Sequence, residues 1–158
     1  MANALGDKRV AEVMTEDVAT LKSTTSVAEA IATLANNRVS GMPVEDEDGV
    51  IVGVISMTDV ATHLSAQHAP DDSEPSTFYD SVRLLRLVDQ LLHKSADAQN
   101  QVADIMSTML VAVGPDAKIA EAARLMAQRR VHRLLVLDAG GKLAGIVSAL
   151  DLVALLSP

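Results

Sequence analysis

The sequence contains no cysteine and no tryptophan, and Phe78 and Tyr79 are its only large aromatic residues. The lack of cysteine excludes disulfide bonds, thiolate metal ligands and a cysteine nucleophile, and is neutral about the cellular compartment. Because 49% of the 158 residues are nonetheless hydrophobic, the core must be built from Val, Leu, Ile, Ala and Met. With so few aromatic residues, stacking of aromatic side chains on a ligand is not available to this chain.

Long hydrophobic runs are also missing. The first ten residues, MANALGDKRV, have no apolar stretch of signal-peptide length. The longest apolar tract, around Leu143–Leu156, is interrupted by Asp151 and is too short to span a bilayer. We therefore expect a soluble, cytoplasmic protein without a membrane partner.

The charge is unevenly distributed. A net charge of −8 opposes general binding to nucleic acid. Residues 10–64 contain nine acidic and two basic residues, whereas residues 102–156 contain five acidic and six basic residues, among them Arg129, Arg130 and Arg133. An anionic ligand would therefore find its cations in the second half of the chain.

The most informative feature is an internal repeat. Residues 10–64 align with residues 102–156 at a constant offset of 92 positions, with 16 identities in 55 positions and no gap. Residues 1–9 precede the first copy, and residues 65–101 link the two. A duplication of this kind predicts two similar units packed about a pseudo-twofold axis, with function in the clefts between the copies.

Each copy predicts the same order of elements, β-α-β-β-α. In the first copy a helical turn ending at Met14 precedes a strand over Val18–Leu21, and a helix over Val27–Asn37 begins with the capping box of Ser26 and Glu29. Two apolar strands flank the hairpin signal Asp48-Gly49, and a helix follows from about Thr58. In the second copy Lys118 replaces the capping serine, and we expect Asp116 to cap instead.

The linker differs from both copies. Residues 67–77 are acidic and contain proline, which predicts a loop. Residues 80–94 carry leucine and valine at helical spacing, which predicts an amphipathic helix. This helix either covers an edge of its own domain or forms a contact with a second copy or a partner.

Several short motifs recur in order in both copies. They are V-x-x-V/I-M-T/S, V/I-A-E-A, R-V-S-G-M-P-V with its counterpart R-V-H-R-L-L-V, and G-V-I-S-M-T-D-V with G-I-V-S-A-L-D-L. Together they resemble the CBS domain, in the tandem arrangement called a Bateman module, as found in stand-alone CBS-domain proteins. The second copy is similar to the last repeat of the gamma subunit of AMP-activated kinase. The implied fold is mixed α/β (α+β), with two CBS repeats packed as a pseudo-twofold pair and an extra inter-repeat helix.

The resemblance implies a regulatory module and not a catalyst. Such proteins commonly bind AMP, ADP, ATP or another adenosyl compound between the repeats, and many form homodimers. The ligand that the resemblance implies is an adenine nucleotide. No metal is expected, because the sequence shows no metal-binding spacing of histidines. It also shows no P-loop and no activated nucleophile. The alternative is a dimeric interaction scaffold whose clefts bind nothing.

Two S-x-x-D motifs are candidate ligand contacts. Ser56 and Asp59 stand where a strand passes into a helix, and Ser148 and Asp151 repeat them. Free backbone N–H groups at such a helix start favour a phosphate, and in the family the aspartate accepts the ribose hydroxyls. A serine at the N-cap with an aspartate three residues later is also ordinary helix capping. Both interpretations remain open at this stage.

The remaining candidate residues come from the resemblance. His132 and Arg133 match a pair that contacts nucleotide phosphates in the gamma subunit, although a solvated strand end would look the same. Thr20 matches a threonine that faces the ligand, and its counterpart in the second copy is Ala112. Val39, Met42 and Pro43 would flank the base, and Leu135 replaces Pro43 in the second copy. We therefore expect the two clefts to be unequal.

Overall fold

The structure is a computed structural model that describes residues 6–67 and 100–156, without the side chains of residues 64–67. The linker predictions beyond Gln67, including the helix over residues 80–94, lie outside the described residues. The first repeat contains a 3-10 turn (Val10–Glu12), β1 (Leu21–Lys22), α1 (Val27–Asn37), β2 (Gly41–Glu45), β3 (Ile51–Ser56) and α2 (Met57–Gln67). The second repeat contains α3 (Val102–Ile105), β4 (Ala112–Val113), α4 (Ile119–Arg129), β5 (Arg133–Leu137), β6 (Leu143–Ser148) and α5 (Ala149–Ala154).

The element order β-α-β-β-α is thus confirmed in both repeats. Each repeat forms a three-stranded sheet, β1-β2-β3 or β4-β5-β6. The first strand of each sheet is parallel to the second, and β5 is antiparallel to β6. Gly49 and Gly141 adopt positive φ angles of 79° and 77° in the two hairpin turns, a conformation that favours glycine. The predicted first strands were too long, since each contains only two residues.

The two long helices begin in different ways. In α1 the hydroxyl of Ser26 accepts a hydrogen bond from the Glu29 N–H at 3.2 Å, as the sequence predicts. In α4 the N-cap Lys118 makes no such bond. The expectation that Asp116 caps this helix was wrong, because its carboxylate forms an ion pair with Arg9.

The chain divides into two compact units that do not coincide with the repeats. The first-repeat unit comprises Thr20–Glu47 and Val52–Thr108, and the second-repeat unit comprises Met1–Ala19, Asp48–Ile51 and Met109–Pro158. Each unit is therefore completed by the short segment that opens the other repeat. We call residues 8–15 the N-terminal opening segment and residues 100–107 the internal opening segment.

Both cores include these opening segments. Val102 is fully buried in the first-repeat unit, where Ile105 and Met106 also pack. Val10 is fully buried in the second-repeat unit, where Val13 and Met14 pack. The rest of each core is aliphatic, as composition predicts. In the first-repeat unit it contains Leu21, Val27, Ala30, Ile31, Leu34, Met42, Val44, Ile55 and Val60. In the second-repeat unit it contains Val113, Ala122, Met126, Leu134, Val136 and Val147.

Equivalent backbone hydrogen bonds hold the two opening segments. The N–H of the first helical residue donates to the opening segment in both units, from Ile119 to Lys8 O and from Val27 to Asn100 O, at 2.9 Å each. The four other bonds in the second-repeat unit run from Val10 N to Ala117 O, Ala11 N to Pro115 O, Thr15 N to Ile146 O and Ile146 N to Thr15 O. Their counterparts run from Val102 N to Thr25 O, Ala103 N to Ser23 O, Ser107 N to Val54 O and Val54 N to Ser107 O.

A methionine of each opening segment lies against a glycine of the sheet. A Cβ built on Gly145 would lie 2.6 Å from the Thr15 carbonyl oxygen and 3.0 Å from the Met14 sulfur. A Cβ built on Gly53 would lie 2.9 Å from Met106 Cγ and even closer to its sulfur. Glycine at these two positions therefore allows the segment to approach the strand closely.

Candidate ligand-binding site

The first S-x-x-D motif lies at the junction of β3 and α2. The Asp59 carboxylate oxygen Oδ2 accepts hydrogen bonds from the Ser56 N–H at 2.8 Å and from the Ser56 hydroxyl at 2.6 Å. The Asp59 N–H in turn donates to Ser56 Oγ at 3.3 Å. This reciprocal pattern is a capping box that fixes the first turn of α2. The structure therefore confirms that Ser56 and Asp59 cap the helix.

The second motif repeats this geometry at the junction of β6 and α5. The Ser148 N–H and hydroxyl each donate to Asp151 Oδ2 at 2.7 Å. The Asp151 N–H donates to Ser148 Oγ at 3.3 Å. In each motif the other carboxylate oxygen, Oδ1, has no partner within the described part of the chain. One acceptor oxygen thus remains for a ligand hydroxyl while the other holds the helix cap.

The helix starts offer fewer N–H donors than the sequence predicts. The Met57 N–H donates to the Ser40 carbonyl at 3.0 Å, and the Ala149 N–H donates to the His132 carbonyl at 2.9 Å. Within residues 6–67 and 100–156, the N–H groups of Thr58 and Leu150 alone in these first turns have no partner. The expectation of several free donors at each start was wrong, because the neighbouring strand and the motif itself satisfy the others.

His132 and Arg133 lie beside the second motif. Arg133 begins β5 and pairs directly with Ser148 on β6, so their side chains project from the same face of the sheet. His132 precedes it and binds the start of α5 through its carbonyl. Both side chains are exposed, and Arg133 forms no ion pair with any described residue. The structure therefore brings all four second-repeat candidates, His132, Arg133, Ser148 and Asp151, together in one unit.

The first repeat has no cation at the matching position. Gly41 stands where Arg133 stands in the second repeat, and a Cβ built on it would lie 3.0 Å from the Ile55 carbonyl oxygen. Val39 is 41% exposed and Pro43 is buried. Met42 is 3% exposed and packs in the core, so its side chain is not available to flank a base. Of the predicted apolar contacts, Val39 alone presents an exposed side chain.

Thr20 lies beside an ion pair that the sequence analysis missed. Lys22 Nζ lies 2.7 Å from Glu45 Oε1 and also donates to the Asp46 carbonyl at 3.1 Å. The hydrogen bond from Lys22 lowers the pKa of Glu45 below its ordinary value, burial opposes this shift, and a hydrogen bond from the Thr20 hydroxyl adds to it. The Thr20 hydroxyl therefore lies near the Glu45 carboxylate. The positions of Thr20, Lys22 and Glu45 are occupied in the second repeat by Ala112, Gly114 and Leu137.

A lysine and a glutamate separated by 23 positions give no local sequence signal. Once the parallel pairing of β1 with β2 is known, which places Lys22 opposite Glu45, the ion pair follows.

Both repeats match a known protein family. The family model of the CBS domain matches residues 10–66 and 102–158. The chain belongs to the CBS-domain family and carries two copies of the domain, which confirms the resemblance and the mixed α/β fold class.

Two relatives illustrate the similarity in sequence. The chain is 35% identical over 144 residues to the chloroplastic CBS domain-containing protein CBSX1 of Arabidopsis thaliana, covering 88% of this chain and 60% of the relative. It thus spans about three fifths of that relative's length. It is 30% identical over 130 residues to the uncharacterized protein MJ1426 of Methanocaldococcus jannaschii, covering 79% of this chain and 77% of the relative.

Solved structures show the same fold. A crystal structure of CBSX2 in complex with AMP matches with a TM-score of 0.66 and 29% identity, covering 94% of this chain and 95% of that chain. The CBS-pair protein CBSX2 from Arabidopsis thaliana matches with a TM-score of 0.68 and 28% identity, covering 94% and 93%. Both are CBS pairs, as the two-copy organisation of this chain requires.

The described segments contain neither a metal-binding cluster nor a membrane-spanning helix. No three or more histidine or acidic side chains of residues 6–67 and 100–156 are grouped so that they could hold a metal ion. None of the helices in this part of the chain combines the length and the apolarity needed to cross a bilayer.

Proposed function

We propose that this protein is a regulatory module that binds an adenine nucleotide and signals by a change of conformation, without catalysing a reaction. The observation that carries the proposal is the second-repeat cluster, in which an aspartate with one uncommitted oxygen lies beside an exposed His-Arg pair. The AMP complex of CBSX2, a relative of similar length in its matched chain, supports the choice of ligand.

The chemistry of the cluster fits a nucleoside phosphate. Asp151 Oδ1 is an acceptor for a ribose hydroxyl, and the capping box holds its carboxylate in place. Arg133 supplies a fork of charged donors that matches a phosphate, and His132 supplies one more. The first repeat offers the equivalent carboxylate, Asp59, without a cation at the Arg133 position.

The direct test is calorimetric titration of the purified chain with AMP, ADP, ATP and adenosine. Wild type is expected to bind at least one nucleotide, and ligand at about 100 times its dissociation constant should stabilise the fold by about 2.7 kcal/mol. Asp151→Asn is expected to weaken binding. Asp104→Asn is the matched control, since Asp104 also caps a helix, accepting from the Gln101 N–H at 2.8 Å, but belongs to no S-x-x-D motif.

Arg133→Ala separates phosphate recognition from nucleoside recognition. A hydrogen bond to a charged group contributes about 1.5–3 kcal/mol, so we expect about a 10- to 100-fold loss of AMP affinity and an unchanged affinity for adenosine. Because Arg133 is exposed and forms no ion pair with a described residue, its removal should leave the unfolding free energy unchanged.

Two results would contradict the proposal. Unchanged nucleotide affinity in both Asp151→Asn and Arg133→Ala would show that the site is misassigned. No binding of any nucleotide to ligand-free wild type would favour the alternative function, an interaction scaffold that works through its surfaces as a homodimer or with a protein partner.

A further inference from the structure

Methionine is the only sulfur-containing residue type in this chain, since cysteine is absent. An oxidant that acts on sulfur therefore has to act on a methionine, whose thioether is converted reversibly to a sulfoxide. The methionines differ widely in exposure. Met109 is 77% exposed, whereas Met42 and Met126 are 3% and 5% exposed and pack in the two cores. Met14 and Met106 lie between these extremes and are half-buried.

Met14 and Met106 make equivalent contacts in the two units. The Met14 sulfur lies 3.0 Å from a Cβ built on Gly145, and the Met106 sulfur lies closer still to a Cβ built on Gly53. Each thioether thus fills the space above a strand glycine, where a larger residue would place its side chain. The two sulfurs are therefore part of the contact that holds each opening segment against its sheet.

A sulfoxide oxygen does not suit this contact. Oxidation turns the apolar thioether into a polar group, and burial of a polar group without a hydrogen bond is unfavourable. The Met14 N–H already donates to the Val10 carbonyl at 2.9 Å, and the Thr15 N–H already donates at 2.8 Å to Ile146 O. In the first-repeat unit the equivalent bonds run from Met106 N to Val102 O and from Ser107 N to Val54 O, at 2.9 Å each. Because these neighbouring donors are occupied, the sulfoxide gains hydrogen bonds by leaving the glycine for water.

We propose that Met14 and Met106 are oxidation sites, and that their conversion to the sulfoxide by hydrogen peroxide loosens the two opening segments from the sheets. One peroxide oxygen is transferred to the sulfur, the O–O bond breaks, and the other oxygen leaves as water. The thioether is thereby oxidised by two electrons and the peroxide is reduced. Methionine sulfoxide reductases reverse this change, so each opening segment is a strap that opens on oxidation and closes on reduction.

The release acts on the strands that end at the two S-x-x-D motifs. The Ile146 N–H donates to the Thr15 carbonyl at 2.9 Å, two residues before Ser148 in β6. The Val54 N–H donates to the Ser107 carbonyl at 2.9 Å, two residues before Ser56 in β3. Oxidation therefore removes a backbone partner near the carboxyl end of each strand. This effect needs no bound ligand, so the proposal does not rest on nucleotide binding.

The first measurement treats the full-length chain with hydrogen peroxide and follows each methionine by peptide mass spectrometry. From the exposures, Met109 is expected to show the fastest initial oxidation, Met14 and Met106 an intermediate rate, and Met42 and Met126 the slowest. Initial oxidation of Met14 and Met106 at the rate of the two core methionines would overturn the proposal.

Hydrogen exchange measured by nuclear magnetic resonance reports whether the segments loosen. The Ile146 and Val54 amides donate to the opening segments, whereas the Ala149 and Met57 amides donate to carbonyls outside these segments and serve as the reference. After oxidation, the first pair is expected to exchange about tenfold faster or more, because an unpaired buried polar group shifts a local opening equilibrium by at least that factor. The reference pair should be unchanged.

Leucine variants assign the effect to the two sulfurs. Leucine has nearly the volume of methionine and no sulfur, so a chain carrying M14L and M106L should keep the slow exchange of Ile146 and Val54 after peroxide treatment. M109L is the matched control: it removes the most exposed sulfur and should leave the wild-type response intact. Treatment of oxidised wild type with methionine sulfoxide reductases should restore slow exchange without any substitution. A response that M109L abolishes, or unchanged exchange of Ile146 and Val54 once Met14 and Met106 are oxidised, would contradict the assignment.

Discussion

Replacement of Gly145 by alanine tests the docking of the opening segment most directly. The added Cβ would lie 2.6 Å from the Thr15 carbonyl oxygen, 3.0 Å from the Met14 sulfur and 3.1 Å from Met14 Cγ. The methionine side chain can rotate away, but the carbonyl belongs to the backbone and accepts the Ile146 N–H at 2.9 Å. The clash can be relieved only by moving the segment and stretching that bond.

The size of the effect follows from the two ways of relieving the clash. Overpacking a tight contact costs about 1–3 kcal/mol. Full release of the segment would cost more, because it breaks several backbone bonds of about 1 kcal/mol each and exposes Val10, whose burial contributes about 1.5–3 kcal/mol. The segment should therefore stay docked, and Gly145→Ala should lower the unfolding free energy by about 2–3 kcal/mol.

Two other glycines provide graded controls. At Gly53 the atoms nearest to the added Cβ belong to the Met106 side chain, and the Ser107 carbonyl oxygen lies at 3.0 Å, so Gly53→Ala should cost less than Gly145→Ala. A Cβ on Gly114 meets no atom within 4 Å, so Gly114→Ala should be neutral or stabilising by about 0.4–1 kcal/mol. Urea unfolding followed by far-ultraviolet circular dichroism measures all three. Equal midpoints for Gly145→Ala and Gly114→Ala would refute the docking geometry.

Two further predictions concern single side chains. Lys22 lowers the pKa of Glu45 from its ordinary 4.5 in the folded state. Ionisation of Glu45 therefore stabilises the fold above pH 4.5, and this contribution disappears as the pH falls through the folded pKa. Glu45→Gln should thus lower the unfolding free energy in urea melts at pH 7 and converge with wild type in strong acid, whereas a difference that stays constant with pH would contradict the ion pair. Arg38 ends α1 with a positive φ of 53°, so Arg38→Gly should stabilise by up to about 1 kcal/mol in thermal melts, whereas Arg124→Gly inside α4 should destabilise by a similar amount.

The sequence predicts the helices and strands of this fold better than it predicts which segments pack together. Hydrophobic spacing, the Ser26 cap and the two hairpin signals predict the helices and long strands to within a few residues, because those signals are local. The first strands were overestimated, since a short edge strand such as Leu21–Lys22 differs little in composition from the extended chain before it. The packing of each opening segment in the unit of the other repeat was missed, because periodicity describes one segment at a time and does not identify the surface that buries it.

A signal for this packing of the opening segments was nevertheless present in the repeat. Gly53 and Gly145 stand at equivalent positions, and so do Met14 and Met106, although most of their neighbours differ between the copies. An unvaried glycine in the middle of a strand indicates close approach of another backbone. The candidate site followed the same rule: the S-x-x-D motifs are local and were placed correctly, whereas the Lys22–Glu45 pair depends on strand register and was missed.

The differences between the repeats bear on which repeat would bind the phosphate group of a ligand. Each repeat keeps its capping aspartate, Asp59 or Asp151, because the helix start requires it whether or not a ligand binds. Only the second repeat adds Arg133 directly opposite its motif serine, while the first has Gly41 there, packed closely against the Ile55 carbonyl. Since the capping role is shared and the cation is not, the phosphate-dependent part of binding should belong to the second repeat. Under the proposed function, Asp151→Asn should therefore weaken the tightest AMP binding while Asp59→Asn leaves it unchanged, and the opposite order in a calorimetric titration would reassign the phosphate site to the first repeat.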